Sequence, residues 1–178
     1  MTRMPPAPRW PHSARTTDGI HYLIRPIRPD DADRERAFIL SLSPESRFQR
    51  LMYTLREPSD EFVAHLVNVD HHRDMALVAV LGQGADETII GVARYAADAD
   101  GKDCEFAVAV TDAWQCRGIG STLTKLLFEY AAREGFRAIY GTVLAGNQSM
   151  LELAEWMGLT VETPEPGQST VRASRRLN

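Results

Sequence analysis

A chain of 178 residues, 44% of them hydrophobic and 25% charged, has the balance of one globular domain with an apolar core, which excludes a fibre or a wholly disordered polypeptide. Its formal charge of −4 gives no basis for a general nucleic-acid partner, although arginines near both ends could form local basic patches. Cys104 and Cys116 lack metal-ligand spacing, and no apolar run reaches membrane-spanning or signal-peptide length, so a soluble, reduced, cytoplasmic protein without a membrane partner is expected.

Residues 1 to about 18 combine Pro5, Pro6, Pro8 and Pro11 with Arg3, Arg9 and Arg15 without sustained periodicity. They read as a flexible arm whose one large apolar side chain, Trp10, is expected in a solvated tail, with docking on the domain or a neighbouring subunit as the alternative, and 19–178 read as the domain. Ile20 to Ile27 is rich in β-branched and aromatic residues and predicts the first strand. Arg28-Pro29-Asp30-Asp31 ends that strand and supplies a cap for a helix to about Leu42. Ser43 at N-cap with Pro44 at N1 starts a second helix. Ser59, followed by the acidic Asp60 and Glu61, opens a third through Phe62, Val63, Leu66 and Val67.

Met75 to Leu81 is a continuous apolar run, Gly82-Gln83-Gly84 turns it, and Thr88 to Tyr95 resumes strand character before a turn at Asp100-Gly101. An antiparallel meander follows, whose third strand is Asp103 to Val110. There Cys104, Phe106, Val108 and Val110 share one face, and Glu105, Ala107 and Ala109 share the other. Glu105 thus stands among small residues. Open space beside a carboxylate can admit a ligand, and a simply solvated glutamate is the alternative.

Ala113 to Ser121 joins that strand to a helix whose Ile119, Leu123, Leu126, Leu127, Tyr130 and Ala131 form one core-facing stripe. Gly118 and Gly120 let the backbone turn sharply and approach a ligand, while the helix directs unpaired N–H groups and its positive end into the turn. A pyrophosphate fits such a place. A dinucleotide fingerprint needs glycine where Leu123 stands, and a Walker loop needs Gly-Lys-Ser/Thr where Gly120-Ser121-Thr122 stands. What remains is Gln-x-x-Gly-x-Gly at Gln115, Gly118 and Gly120, with an ordinary strand-to-helix turn as the alternative.

Gly135 closes the helix, and Ala138 to Leu144 reads as a buried strand completing a β-α-β unit with parallel pairing. The glycine loop then sits at a strand's C-terminal end, where open α/β sheets bind ligands. Asn147 precedes a helix through Met150, Leu151, Leu153, Ala154, Trp156 and Met157, with Gly158 after it; Asn147 caps this helix, or Ser149 and Glu152 compete as a capping box. Leu159 to Thr163 and Ser169 to Ala173, around Pro164-Glu165-Pro166-Gly167, suggest a final hairpin.

The glycine loop and this order of elements, a mixed α/β (α+β) arrangement from about Ile20 onward, resemble the GNAT acyltransferase superfamily. Within it the chain is similar to the acetyltransferase domain of bacterial protein lysine acetyltransferases that modify acetyl-CoA synthetase and related enzymes. The matching stretches are Ile24-Arg25-Pro26-Ile27-Arg28-Pro29-Asp30-Asp31, Leu42-Ser43-Pro44-Glu45-Ser46-Arg47-Phe48, Met75-Ala76-Leu77-Val78-Ala79 and Glu105-Phe106-Ala107-Val108. The resemblance implies acetyl-CoA as cosubstrate, with its pyrophosphate on the loop from Gln115 through Cys116, Arg117, Gly118, Ile119 and Gly120 to Ser121. It implies the pantetheine arm beside Val108 and Val110, Asn147 near the thioester, and Glu105 as the catalytic glutamate. An attacking amine is a nucleophile only when neutral, and a glutamate can take its proton directly or through water.

Two departures accompany the likeness. The position aligned with the superfamily's thiolate-protonating tyrosine is Ala154, so a dedicated tyrosine acid is not expected. The family's larger members carry further ligase-like or regulatory domains that these residues do not include, so their regulation does not transfer. Asp70, His71, His72 and Asp74 suggest a metal site only weakly, because adjacent histidines on a strand point apart, and no metal is expected. Cys116 has no placed histidine partner for covalent catalysis. The expected acceptor is a protein lysine, with the segment from Asp30 to Val67 as its selecting wall. A small amine, or a non-catalytic acyl-CoA-binding module, remains the alternative, in a monomer or homodimer.

Overall fold

The computed structural model describes residues 8–52 and 55–177. The strands are β1 (His12–Arg15), β2 (His21–Pro26), β3 (Asp74–Leu81), β4 (Thr88–Ala97), β5 (Asp103–Val110), β6 (Ala138–Leu144), β7 (Thr160–Val161) and β8 (Thr170–Arg176). The helices are α1 (Ala32–Ser41), α2 (Pro44–Leu51), α3 (Asp60–Val67), α4 (Ile119–Arg133) and α5 (Gln148–Trp156). The strands form one mixed sheet in the order β1-β2-β3-β4-β5-β6-β8-β7, antiparallel except where β5 meets β6.

The uninterrupted apolar run of β3 is explained by burial on both faces. Met75, Leu77 and Ala79 enter the core beneath α4 with Leu123 and Leu127, whereas Ala76, Val78 and Val80 enter a second core with Phe38 of α1 and Val67 of α3. The period of two in the strand and the stripe on α4 therefore meet in one layer.

One expectation is corrected and two are sharpened. Residues 12–15, read as part of a flexible arm, form β1 and pair with β2, and Trp10, partly buried, takes the alternative of packing against the domain's core. The arm's Arg3, Pro5 and Pro6 lie outside the described residues. The final hairpin exists, but Pro164 and Pro166 follow a β7 of only two residues, while β8 reaches Arg176 and inserts between β6 and β7. The cap expected of Arg28 to Asp31 forms on the 3-10 turn Pro29–Asp31 that leads into α1, where the Asp31 side chain accepts the Arg28 N–H; Asp31 makes no side-chain bond to the first amides of α1. The same carboxylate also belongs to a buried network.

Asp31 is fully buried and takes both arms of the Arg25 guanidinium, at 2.7 and 2.8 Å, together with the Arg28 N–H at 2.9 Å. Arg25 also reaches Glu87 Oε2 at 2.6 Å, and Arg34 reaches Asp31 Oδ1 at 3.2 Å. This network ties the end of β2, the start of α1 and the entry to β4. Burial pushes the Asp31 carboxyl up, but the Arg25 and Arg28 groups outweigh it and hold the carboxyl below its ordinary value. Removing one member would leave a buried charge uncompensated.

Arg25→Met should therefore destabilise the domain by about 3–5 kcal/mol in urea unfolding. Because the folded pKa of Asp31 is lowered, its contribution is present above the unfolded carboxylate pKa of about 4 and is lost as the pH falls through the folded value. Wild type should lose stability over that acid range, and Arg25→Met should lose less.

Candidate functional site

The site begins where β5 and β6 part. Their parallel pairing covers only Asp103–Glu105 against Ala138–Tyr140. Beyond it β5 stays paired with β4 to Val110, and β6 stays paired with β8 to Leu144, so the two facing edges diverge into a wedge. Phe106 lies at its apex. A Cβ on Gly141 would fall 2.9 Å from the Phe106 ring, which is itself packed edge-on to Phe128 at 4.9 Å. Glycine at 141 is what lets the ring sit there.

A cavity of about 480 Å³ occupies the wedge. Val108 and Val110 form one wall, Gly141 to Val143 the other, and the glycine loop and the start of α5 close its end. Among the residues expected at the donor site, Val108, Val110, Gln115, Cys116, Gly118, Gly120, Ser121 and Asn147 line it. Ile119 instead sends its side chain into the core, and Arg117 turns outward to Asp18 at 3.0 Å while stacking over Trp114. Asn147 does cap α5, accepting the Met150 N–H at 3.2 Å, so the Ser149–Glu152 box is not used.

The loop has the backbone that its glycines allow. Gly118 is the N-cap of α4 at φ +84°, a left-handed conformation that favours glycine, and Cys116 is held at φ +58°. The first amides of α4 have no acceptor within the helix, so an anion at this end meets N–H donors and the positive end of a fifteen-residue dipole. Gln115 serves the frame: its Nε2 donates to Val110 O at 3.0 Å and to Ser46 Oγ at 3.3 Å.

Glu105 lines a second cavity, of about 320 Å³, enclosed by the end of α2, α3 and strands β3 to β5. The two cavities share Arg50, Met52, Phe106, Ala107 and Thr142, so they adjoin at the small residue expected on the Glu105 face. The Glu105 carboxylate is exposed and accepts a hydrogen bond from Thr142 Oγ1 at 2.8 Å. Arg94 also lines this cavity, held by Glu35 Oε1 at 3.0 Å and Leu66 O at 3.2 Å. Burial pushes the Glu35 carboxyl up, with Arg94 and Arg50 opposing.

Sequence reasoning missed Ser46, Asp112, Thr142 and Arg94. Each acts through a partner far away in the chain, and no local pattern marks such a partner. Asp112, just before the loop, accepts the Ser43 N–H at 3.0 Å and the Ser46 hydroxyl at 3.2 Å, and so fastens α2 over the cavity. The weakly suggested metal cluster is dispersed: His72 meets Glu134 at 3.0 Å, His71 meets Met75 Sδ at 3.4 Å, and Asp70 accepts the N–H groups of His72 and Asp74. Cys104 is buried beneath the sheet, with burial pushing its thiol up to about 12, while Cys116 is exposed.

The profile of the Acetyltransferase (GNAT) family matches residues 33–159. The chain is 37% identical over 153 residues to Acetyltransferase PA5475 of Pseudomonas aeruginosa, spanning 86% of this chain and 82% of that protein. It is 28% identical over 149 residues to Acetyltransferase Pat of Mycolicibacterium smegmatis; this covers 83% of the chain but only 44% of Pat. The crystal structure of the GNAT domain of S. lividans PAT superposes with a TM-score of 0.85 at 27% identity, covering 94% of this chain and 97% of that one. No helix among the described residues is long and apolar enough to cross a membrane.

The clasp on α2 is testable on its own. Asp112→Ala removes two hydrogen bonds, each worth about 0.5–1.5 kcal/mol, and should speed amide exchange in α2 about tenfold while leaving that of α4 unchanged.

Proposed function

This chain belongs to the GNAT acetyltransferase family, and from that premise we propose that it transfers the acetyl group of acetyl-CoA to a protein lysine, with Glu105 as general base. The observation that carries the reading is the meeting of two cavities beside Ala107, one running along the wedge to the glycine loop and the other holding Glu105. A donor and an acceptor can thus be held together for direct attack, without a covalent enzyme intermediate.

Acetyl-CoA supplies an activated thioester, and the lining of the first cavity suits it. Backbone N–H groups from Cys116 to Ser121 would take the diphosphate, assisted by the dipole of α4. The parted edge of β5 at Val108 and Val110 would lie beside the pantetheine, where strand N–H and C=O groups facing the wedge need partners. Asn147, at the mouth of α5, would stand near the thioester.

The acceptor enters from the second cavity as a neutral amine. Glu105 takes the proton that the nitrogen loses as its bond to the acetyl carbon forms, either directly or through one water. Thr142 orients the carboxylate from the neighbouring strand. Ala154, aligned with the superfamily's tyrosine acid, is buried, and no tyrosine is among the described residues lining the first cavity. The departing sulfur is then met by backbone N–H groups and the α5 dipole.

A protein acceptor is supported by the resemblance to protein lysine acetyltransferases and by the exposure of Glu105. A cavity of about 320 Å³ favours one second reading, a small amine.

Thiol release from acetyl-CoA with candidate proteins and amines tests the reaction. Glu105→Gln should lower kcat by about 10²-fold or more with donor binding retained. Equal rates for the two enzymes would remove Glu105 as base, and binding without turnover on any acceptor would favour a binding module. Mapping acetylated lysines in a cell extract treated with the enzyme distinguishes the acceptors: discrete modified lysines favour protein, and their absence beside a reactive amine favours the small molecule.

A further inference from the structure

The turn between β1 and β2 reaches the glycine loop from outside the wedge. Its Thr17 N–H donates to the Arg117 carbonyl at 3.0 Å, and the Thr17 methyl lies 3.6 Å from where a Cβ on Gly118 would be. Asp18 draws the Arg117 guanidinium to the same side at 3.0 Å. The turn is internally braced: the Thr16 and Gly19 amides donate to Ile20 O and Thr16 O at 2.9 Å, and the Ile20 amide donates to Thr16 Oγ1 at 2.8 Å. Neither Thr17 nor Asp18 lines the first cavity.

A trans peptide points its C=O and the following N–H in opposite directions. Holding the Arg117 carbonyl on the turn therefore aims the Gly118 N–H away from it. Nothing in the loop's own chemistry enforces that choice, because glycine populates both signs of φ and the peptide before it can flip. The restraint comes from Thr17, 101 positions from Gly118 by their residue numbers.

We propose that Thr17 is a positioning residue for the donor site: its backbone N–H locks the Arg117–Gly118 peptide so that the Gly118 N–H faces the cavity, where a diphosphate is taken up. This rests on the acetyl-CoA reading of the loop. It gives the edge strand β1 a function, since pairing with β2 presents the turn to the loop. Thr17 touches no reacting atom.

The test compares two donors, acetyl-CoA and S-acetylpantetheine, which carries the thioester but no diphosphate. Thr17→Pro deletes the N–H. It should raise the KM for acetyl-CoA about tenfold, hold kcat within twofold, and leave kcat/KM for S-acetylpantetheine at the wild-type value. Thr17→Ser, which keeps the N–H, should retain the wild-type KM for both. Equal losses with the two donors, or an unchanged acetyl-CoA KM in Thr17→Pro, would overturn the proposal. Should that variant not fold, amide exchange in wild type decides: the Thr17 N–H must be protected and must exchange more slowly with coenzyme A bound, and exchange at the unprotected rate overturns the lock. Calorimetry on wild type separates the two levels. Absence of acetyl-CoA binding there defeats the donor reading and the lock with it, whereas normal binding with no effect at Thr17 defeats the lock alone.

Discussion

The divergence of β5 from β6 after three paired residues is the constraint on which the rest of the molecule turns. A sheet that breaks its ladder exposes backbone donors and acceptors, and a protein tolerates this only where water or a ligand can satisfy them. Here the broken ladder becomes the wall of a cavity. The contact that shapes its apex is a steric one, the Phe106 ring against a Gly141 that has no Cβ. Ala107 is among the residues that this cavity shares with the one that holds Glu105.

Two buried ion pairs stiffen the α1 side of the sheet, with opposite electrostatic outcomes. Asp31 receives two guanidinium arms and a backbone N–H, which outweigh its burial and hold it ionised. Glu35 is bonded to Arg94 through Oε1, while its Oε2 is buried without a hydrogen-bond partner, and burial prevails. The first pair fastens strands to helix. The second reaches the cavity that holds Glu105 through Arg94, so the charge of that wall is coupled to how well Glu35 is satisfied.

The glycine loop, prominent in the sequence, depends on its surroundings for its shape. Gln115 anchors it to β5 and α2, Asp112 brings α2 over it, and Thr17 holds it from the edge of the sheet. Gly118 and Cys116 both occupy left-handed backbone, which is more costly for the cysteine. Contacts that hold a loop's backbone reduce the conformational entropy that ligand binding must offset.

Much of this was legible in the residues alone. The apolar run of β3, the stripe on α4, Ser43 and Ser59 at helix starts, the alternation that puts Glu105 beside Ala107, and the glycine spacing all act within a few positions, where backbone geometry sets the period. The arm was misread because β1 has no strong periodicity of its own and is a strand only through its pairing with β2. The wedge, the second cavity and the clasps on the loop were decided by tertiary structure. Asp112 meets Ser43 across 69 residues, and Arg117 meets Asp18 across 99. A hydrogen bond over such a distance leaves no local trace, because its partner is selected by which strands become neighbours and where their pairing ends.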